Sequence, residues 1–142
     1  MQINMTDLQI AKNNLLGHTI CLCKNENCIF SDKRGIAPMM GFIAEELDLA
    51  DYSVADIVVG KAAALLFVKC KIKSVYAKTL SESGKDVLER YGIEYEFDTL
   101  TDKILNRDGT DICPMEKAVA VTDNPEKAYL LIKKQLELLK TR

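Results

Sequence analysis

Two hydrophobic periods alternate along the chain. Short apolar runs bounded by polar turns read as strands. Stretches in which apolar residues return every three or four positions read as helices. Thr6 and Asp7 are cap residues for a helix predicted over 6–16, with Leu8, Ala11, Leu15 and Leu16 at helical spacing and Gly17 as the stop. Thr19 to Cys23 and Cys28 to Ser31 are β-rich runs on either side of Lys24-Asn25-Glu26-Asn27, the pattern of a hairpin. Arg34-Gly35-Ile36-Ala37-Pro38 leads into a helix predicted to reach about Leu47, with Pro38 at its first position.

From there the chain alternates. A buried strand over Ala55 to Val59 feeds through Gly60-Lys61 into a helix over Ala62 to Lys69. A strand over Ser74 to Lys78, a helix over Ser83 to Tyr91 closed by Gly92, and a strand over Ile93 to Phe97 follow. Parallel strands need such crossover helices. After the polar turn Asn106-Arg107-Asp108-Gly109-Thr110, one helix starts at Pro114 and another spans Pro125 to about Lys140, with Tyr129, Ile132, Leu136 and Leu139 on one stripe. The expected architecture is a three-layer α/β/α sandwich around a mixed five-stranded sheet. It forms a single domain over 1–142 with a C-terminal helical extension from about 113.

Length and composition agree with a globular domain of this kind: 142 residues, 48% hydrophobic, 28% charged and a net charge of −2. Basic and acidic residues are mixed, Trp is absent and aromatics are 6%, so no nucleic-acid surface is expected. Lys127, Lys133, Lys134 and Lys140 of the last helix read as its solvated face. The longest apolar runs, such as Ala62 to Val68, are too short to span a bilayer. Cys21, Cys23, Cys28, Cys70 and Cys113 form no CxxC pair and follow no export signal, which predicts reduced thiols and a cytoplasmic protein. Cys21 and Cys23 share one face of a strand, where packing explains them better than metal.

The order of elements resembles the cytidine-deaminase-like fold. Arg34-Gly35-Ile36-Ala37-Pro38, Ile57-Val58-Val59-Gly60-Lys61-Ala62-Ala63-Ala64, and Asn106-Arg107 with Cys113-Pro114-Met115-Glu116-Lys117-Ala118-Val119 together resemble a family of small uncharacterised prokaryotic proteins with that fold. The resemblance implies no reaction. Zinc deaminases carry a His or Cys, a nearby Glu and a Pro-Cys-x-x-Cys at two helix starts. Here Ile43-Ala44-Glu45 has Ile in the ligand position, and Gly60-Lys61-Ala62-Ala63 has no thiol before Cys70. Cys113-Pro114 reverses the order, and His18, the sole histidine, precedes the first strand. Three side-chain zinc ligands are therefore not expected, and neither is any other metal or cofactor.

Three segments are candidate sites. A strand ending in Gly60 and opening a helix at Lys61 offers free backbone N–H groups and a helix dipole to an anion, with Lys61 adding a charge. It is not a P-loop, since the upstream Gly is missing and Ala62 stands in the Ser/Thr position. Its structural alternative is a tight turn with a solvated lysine. Arg34 and Gly35 occupy a loop expected to open on the same side, where a guanidinium can grip phosphate or carboxylate, or simply sit at the surface. Asn106 and Arg107 would close such a pocket. Cys113 precedes a helix whose dipole would activate a thiol, with Glu116 as acid or base. The structural alternative is that Cys113 packs and Glu116 caps its own helix. His18 is expected to be a partly exposed turn residue.

The leading expectation is a domain without deaminase activity that binds an anionic, nucleotide-like small molecule through Gly60, Lys61, Arg34, Gly35, Asn106, Arg107 and Glu116. The alternatives are a thiol enzyme built on Cys113 and an interaction module forming a homodimer through exposed helices.

Overall fold

The computed structural model describes residues 5–140. Helix α1 (Asp7–Asn13) opens on a capping box, in which the Thr6 hydroxyl accepts from the Gln9 N–H and the Gln9 side chain accepts from the Thr6 N–H. It ends three residues before the predicted boundary, so Leu16 falls outside the apolar stripe and is 93% exposed. The hairpin is tighter than expected. β1 (Ile20–Lys24) and β2 (Asn27–Ser31) are joined by Asn25 and Glu26 alone, both at positive φ, and Lys24 pairs with Asn27. A two-residue turn of that hand matches the twist of the strands it joins. Cys23 therefore lies directly opposite Cys28, with Cα atoms 4.2 Å apart, and the two are joined in a disulfide. This corrects the expectation of five reduced thiols; Cys21, Cys70 and Cys113 are free.

Helix α2 (Ala37–Ala44) carries Pro38 at its second position and stops short of Leu47. The alternating part follows as β3 (Ser53–Val59), α3 (Lys61–Lys69), β4 (Ser74–Ser81), α4 (Glu82–Arg90) and β5 (Glu94–Thr101). β4 runs three residues beyond its predicted end and β5 four. Ser81, fully buried, caps α4 by accepting from the Gly84 N–H. Helices α5 (Pro114–Val119) and α6 (Pro125–Lys140) complete the described chain. None of its helices is long and apolar enough to cross a membrane.

The sheet has the order β2-β1-β3-β4-β5. β1 is antiparallel to both β2 and β3, whereas β3, β4 and β5 are parallel. This is the mixed five-stranded sheet expected. Strand alternation divides its two faces. Ile20, Leu22, Val54, Val75 and Ala77 join the main core with Leu65, Leu66 and Phe67 of α3, Leu88 of α4 and Ile132 of α6. Cys21, Cys23, Ala55 and Tyr76 point the other way, into a smaller core covered by Ala11 and Leu15. At one edge, β5 is largely exposed and carries Glu94, Glu96 and Asp98 on alternate positions.

Candidate functional site

The elements converge on a cleft of about 980 Å³ on the main-core side of the sheet. Because β1 runs antiparallel to β3, Thr19 and Ile20 at the start of β1 meet Asp56 and Ile57 near the end of β3, and Val58 and Gly60 continue the same wall. Open α/β sheets collect ligands at such strand ends. The 34–37 loop, the 104–108 turn, residues 113–116 and Leu136 and Leu139 of α6 form the remaining walls. Arg34, Gly35, Gly60, Asn106, Arg107, Cys113 and Glu116, foreseen from three separated segments, all line this cleft. Lys61 does not.

The start of α3 explains why. Glu116 leaves its own helix uncapped and reaches across to α3, where its two carboxylate oxygens accept from the Lys61 and Ala62 backbone N–H groups, each at 2.8 Å. The helix start expected to hold an external anion thus holds an internal one, favoured by the same dipole and the same free donors. Gly60 makes the approach possible, since a Cβ there would lie 2.3 Å from Glu116 Oε1 and 2.9 Å from Ile104 Cγ1. The Lys61 ammonium turns to Asp123, 3.1 Å away, and the expectation that it faces a ligand is corrected. That hydrogen bond holds the Asp123 carboxyl below its ordinary pKa.

The 104–113 segment is a closed turn. Leu105 bridges Ile112, the Asn106 N–H donates to the Asp111 carbonyl at 2.8 Å, and the Asn106 side-chain oxygen accepts from the Thr110 N–H at 3.0 Å. Asn106 therefore shapes the turn, while Arg107 and Asp108 stand exposed on the cleft wall. Lys117 pairs with Asp111 and lowers its pKa, pinning the turn to α5. Cys113 is half-buried in the cleft. His18 bonds Asp32 through Nδ1 at 2.7 Å and packs on Phe30, as suits a turn residue.

Asp56 was not among the residues singled out from sequence. It is 6% exposed, lines the cleft, and accepts from the Val58 N–H at a long 3.4 Å. Burial pushes its pKa up to about 8, so the group is mainly neutral at pH 7 and can donate as well as accept. A signal was available: a lone carboxylate interrupts the apolar run Ala55-Asp56-Ile57-Val58-Val59. With Asp56 protonated and Glu116 bonded to α3, the charged side chains left on the cleft wall are Arg34, Arg107 and Asp108.

The family model described as "Domain of unknown function (DUF1893)" matches residues 11–136. Among solved structures, the chain is similar to a DUF1893 family protein from Thermotoga maritima, with a TM-score of 0.77 and 24% identity over 94% of this chain and 97% of that one. At that identity the likeness shows a shared fold. No curated protein matches the chain. With the family model covering most of its length, this α/β chain belongs to the DUF1893 family.

Proposed function

We propose that the chain binds a small anionic organic molecule, nucleotide-like in size and polarity, in the cleft between the end of β3 and the 104–116 segment. The observation that carries this reading is the convergence of Arg34 and Arg107 on one cleft that also contains a buried carboxyl, Asp56. Its volume lies at the upper end of the 300–1,000 Å³ typical of ligand sites. Two guanidiniums suit a phosphate or carboxylate. Ile36, Ile104, Leu105, Leu136 and Leu139 offer apolar contact to the rest of the molecule. A protonated Asp56 would hydrogen-bond its polar edge. The element order and the order of the strands also support a deaminase-like scaffold.

Binding fits the cleft better than zinc-dependent deamination. The one three-residue cluster of possible metal ligands among the described residues is Cys21, Cys23 and Cys28, which faces the opposite side of the sheet. The thiol alternative is weaker because His18, engaged with Asp32, is not one of the cleft residues and so does not serve Cys113 as base.

A thermal-stability screen against nucleoside phosphates, sugar phosphates and dicarboxylates tests the proposal. A ligand at about a hundredfold above its dissociation constant adds roughly 2.7 kcal/mol. The expected result is a shift with one anionic class, reduced at least tenfold in affinity by Arg34→Ala and by Arg107→Ala and unaffected by Lys61→Ala. A shift that survives both arginine variants, or no shift with any of these compounds, removes the reading.

A further inference from the structure

The side of the sheet away from the cleft gathers three sulfurs. Cys21 and Cys23 are two apart on β1 and so face the same way, and Cys28 is the cross-strand partner of Cys23. Their sulfur atoms all lie within 4.8 Å of one another. Leu8, Ala11, Leu15, Ala55 and Tyr76 surround them with largely apolar groups. Cys21 and Cys23 are fully buried, whereas Cys28 is half-buried and gives access from solvent. With Cys23 and Cys28 bridged, the Cys21 thiol donates to the Cys23 sulfur at 3.6 Å.

Reduction by an external thiol delivers two electrons and two protons to the bridge and leaves three thiols converging on one point. No imidazole or carboxylate belongs to this group among the described residues. Soft sulfur donors select soft ions. Coordination number and charge then choose among them. Structural zinc takes four ligands, and with three thiolates it would leave a net negative charge in apolar surroundings. Monovalent copper would leave a larger one. A trivalent metalloid takes three sulfurs, needs no fourth ligand and gives a neutral product.

We propose that the reduced Cys21–Cys23–Cys28 trio is a binding site for trivalent arsenic or its group-15 congener antimony, and that the Cys23–Cys28 disulfide closes it. Arsenous acid enters as a neutral molecule. Three As–O bonds break, three As–S bonds form, and each thiol proton leaves with a hydroxide as water, so no electrons move and no charge is buried.

The test uses the full chain, reduced and freed of reductant under anaerobic conditions, with arsenite as the probe. Native mass spectrometry should show one arsenic per chain, and X-ray absorption should show three sulfur neighbours. The adduct should be lost in Cys21→Ala and Cys28→Ser, kept in Cys70→Ser and Cys113→Ser, and absent from the oxidised protein. Circular dichroism confirms that each variant is folded, and the three-sulfur shell of the wild-type protein stands independently of any variant. A two-sulfur shell, an adduct that persists in folded Cys21→Ala, equal uptake by oxidised protein, or no uptake by reduced protein overturns the proposal.

Discussion

Glu116→Ala should destabilise the fold although Glu116 is a cleft residue, because its carboxylate is the side-chain acceptor at the start of α3. Losing a charged cap costs about 2 kcal/mol on the combined scale of capping and dipole effects. The cleft admits water to the two freed N–H groups, so the larger penalty for sealed, unpaired donors does not apply in full. For a chain of this size the melting temperature should fall by roughly 6–8 °C. Glu116→Gln keeps one oxygen acceptor and should lose about 1 kcal/mol. Gly60→Ala attacks the same contact from the other side, since its methyl would stand 2.3 Å from Oε1 and 2.7 Å from Cδ of Glu116. That carboxylate is the end of a flexible side chain and can move, but only by giving up both hydrogen bonds. The single Gly60→Ala substitution should therefore also cost about 2 kcal/mol, and the double variant should cost clearly less than the sum, with a coupling of about 1 kcal/mol or more. Ile104 Cγ1, 2.9 Å from the same methyl, leaves a residual cost in the double variant. Urea denaturation followed by far-UV circular dichroism measures the wild type and all four variants on one scale. Full additivity, or a Glu116→Ala protein within about 0.5 kcal/mol of wild type, would refute the reasoning.

Three further outcomes are expected. Burial raises the Asp56 pKa to about 8 in the fold, whereas the unfolded chain releases that proton near its ordinary pKa. Stability should thus fall as the pH rises from about 4 toward 8 and then level off. Asp56→Asn should remove that component in urea titrations across the range, and parallel wild-type and variant curves would count against it. Asp123, held below its ordinary pKa by Lys61, contributes stability above that ordinary value and loses it as the pH falls through its folded one. An NMR titration should show the Asp123 midpoint rising in Lys61→Met, and an unmoved midpoint would dissolve the pair. Ser81→Ala removes the buried cap of α4 and should cost about 1 kcal/mol by denaturation, while a neutral result would mean that water replaces the hydroxyl.

The strands and helices were legible because their signals are local. Alternation and helical spacing placed every described element, and the misses fell at ends, as with Leu16, where a stripe by itself does not say which turn of helix the core still covers. The cleft residues Arg34, Gly60 and Arg107 were grouped because chain order places the ends of parallel strands and the loops after them on one side of a sheet, whereas Cys113 was read only as a separate thiol candidate. What was not legible depended on pairing across distance. Glu116 was expected to face a ligand or, as the structural alternative, to cap its own helix, but a helix start 55 residues earlier in the chain competes for the same carboxylate and wins. The burial of Asp56 and its raised pKa come from neighbours supplied by separate elements. The Cys23–Cys28 bridge was in reach of the hairpin reading, since strands ending at Cys23 and beginning at Cys28 put those residues face to face. Compartment reasoning from cysteine composition overrode it.

Edge strands are the places where folded proteins recruit unwanted copies of themselves, and β5 offers eight residues of such an edge. Glu94, Glu96 and Asp98 make that edge self-repelling, because two copies pairing there would bring like charges across from one another. Pairing of two copies into one continuous sheet is therefore disfavoured at this edge, whose acidic row guards the free backbone groups of β5 against strand addition.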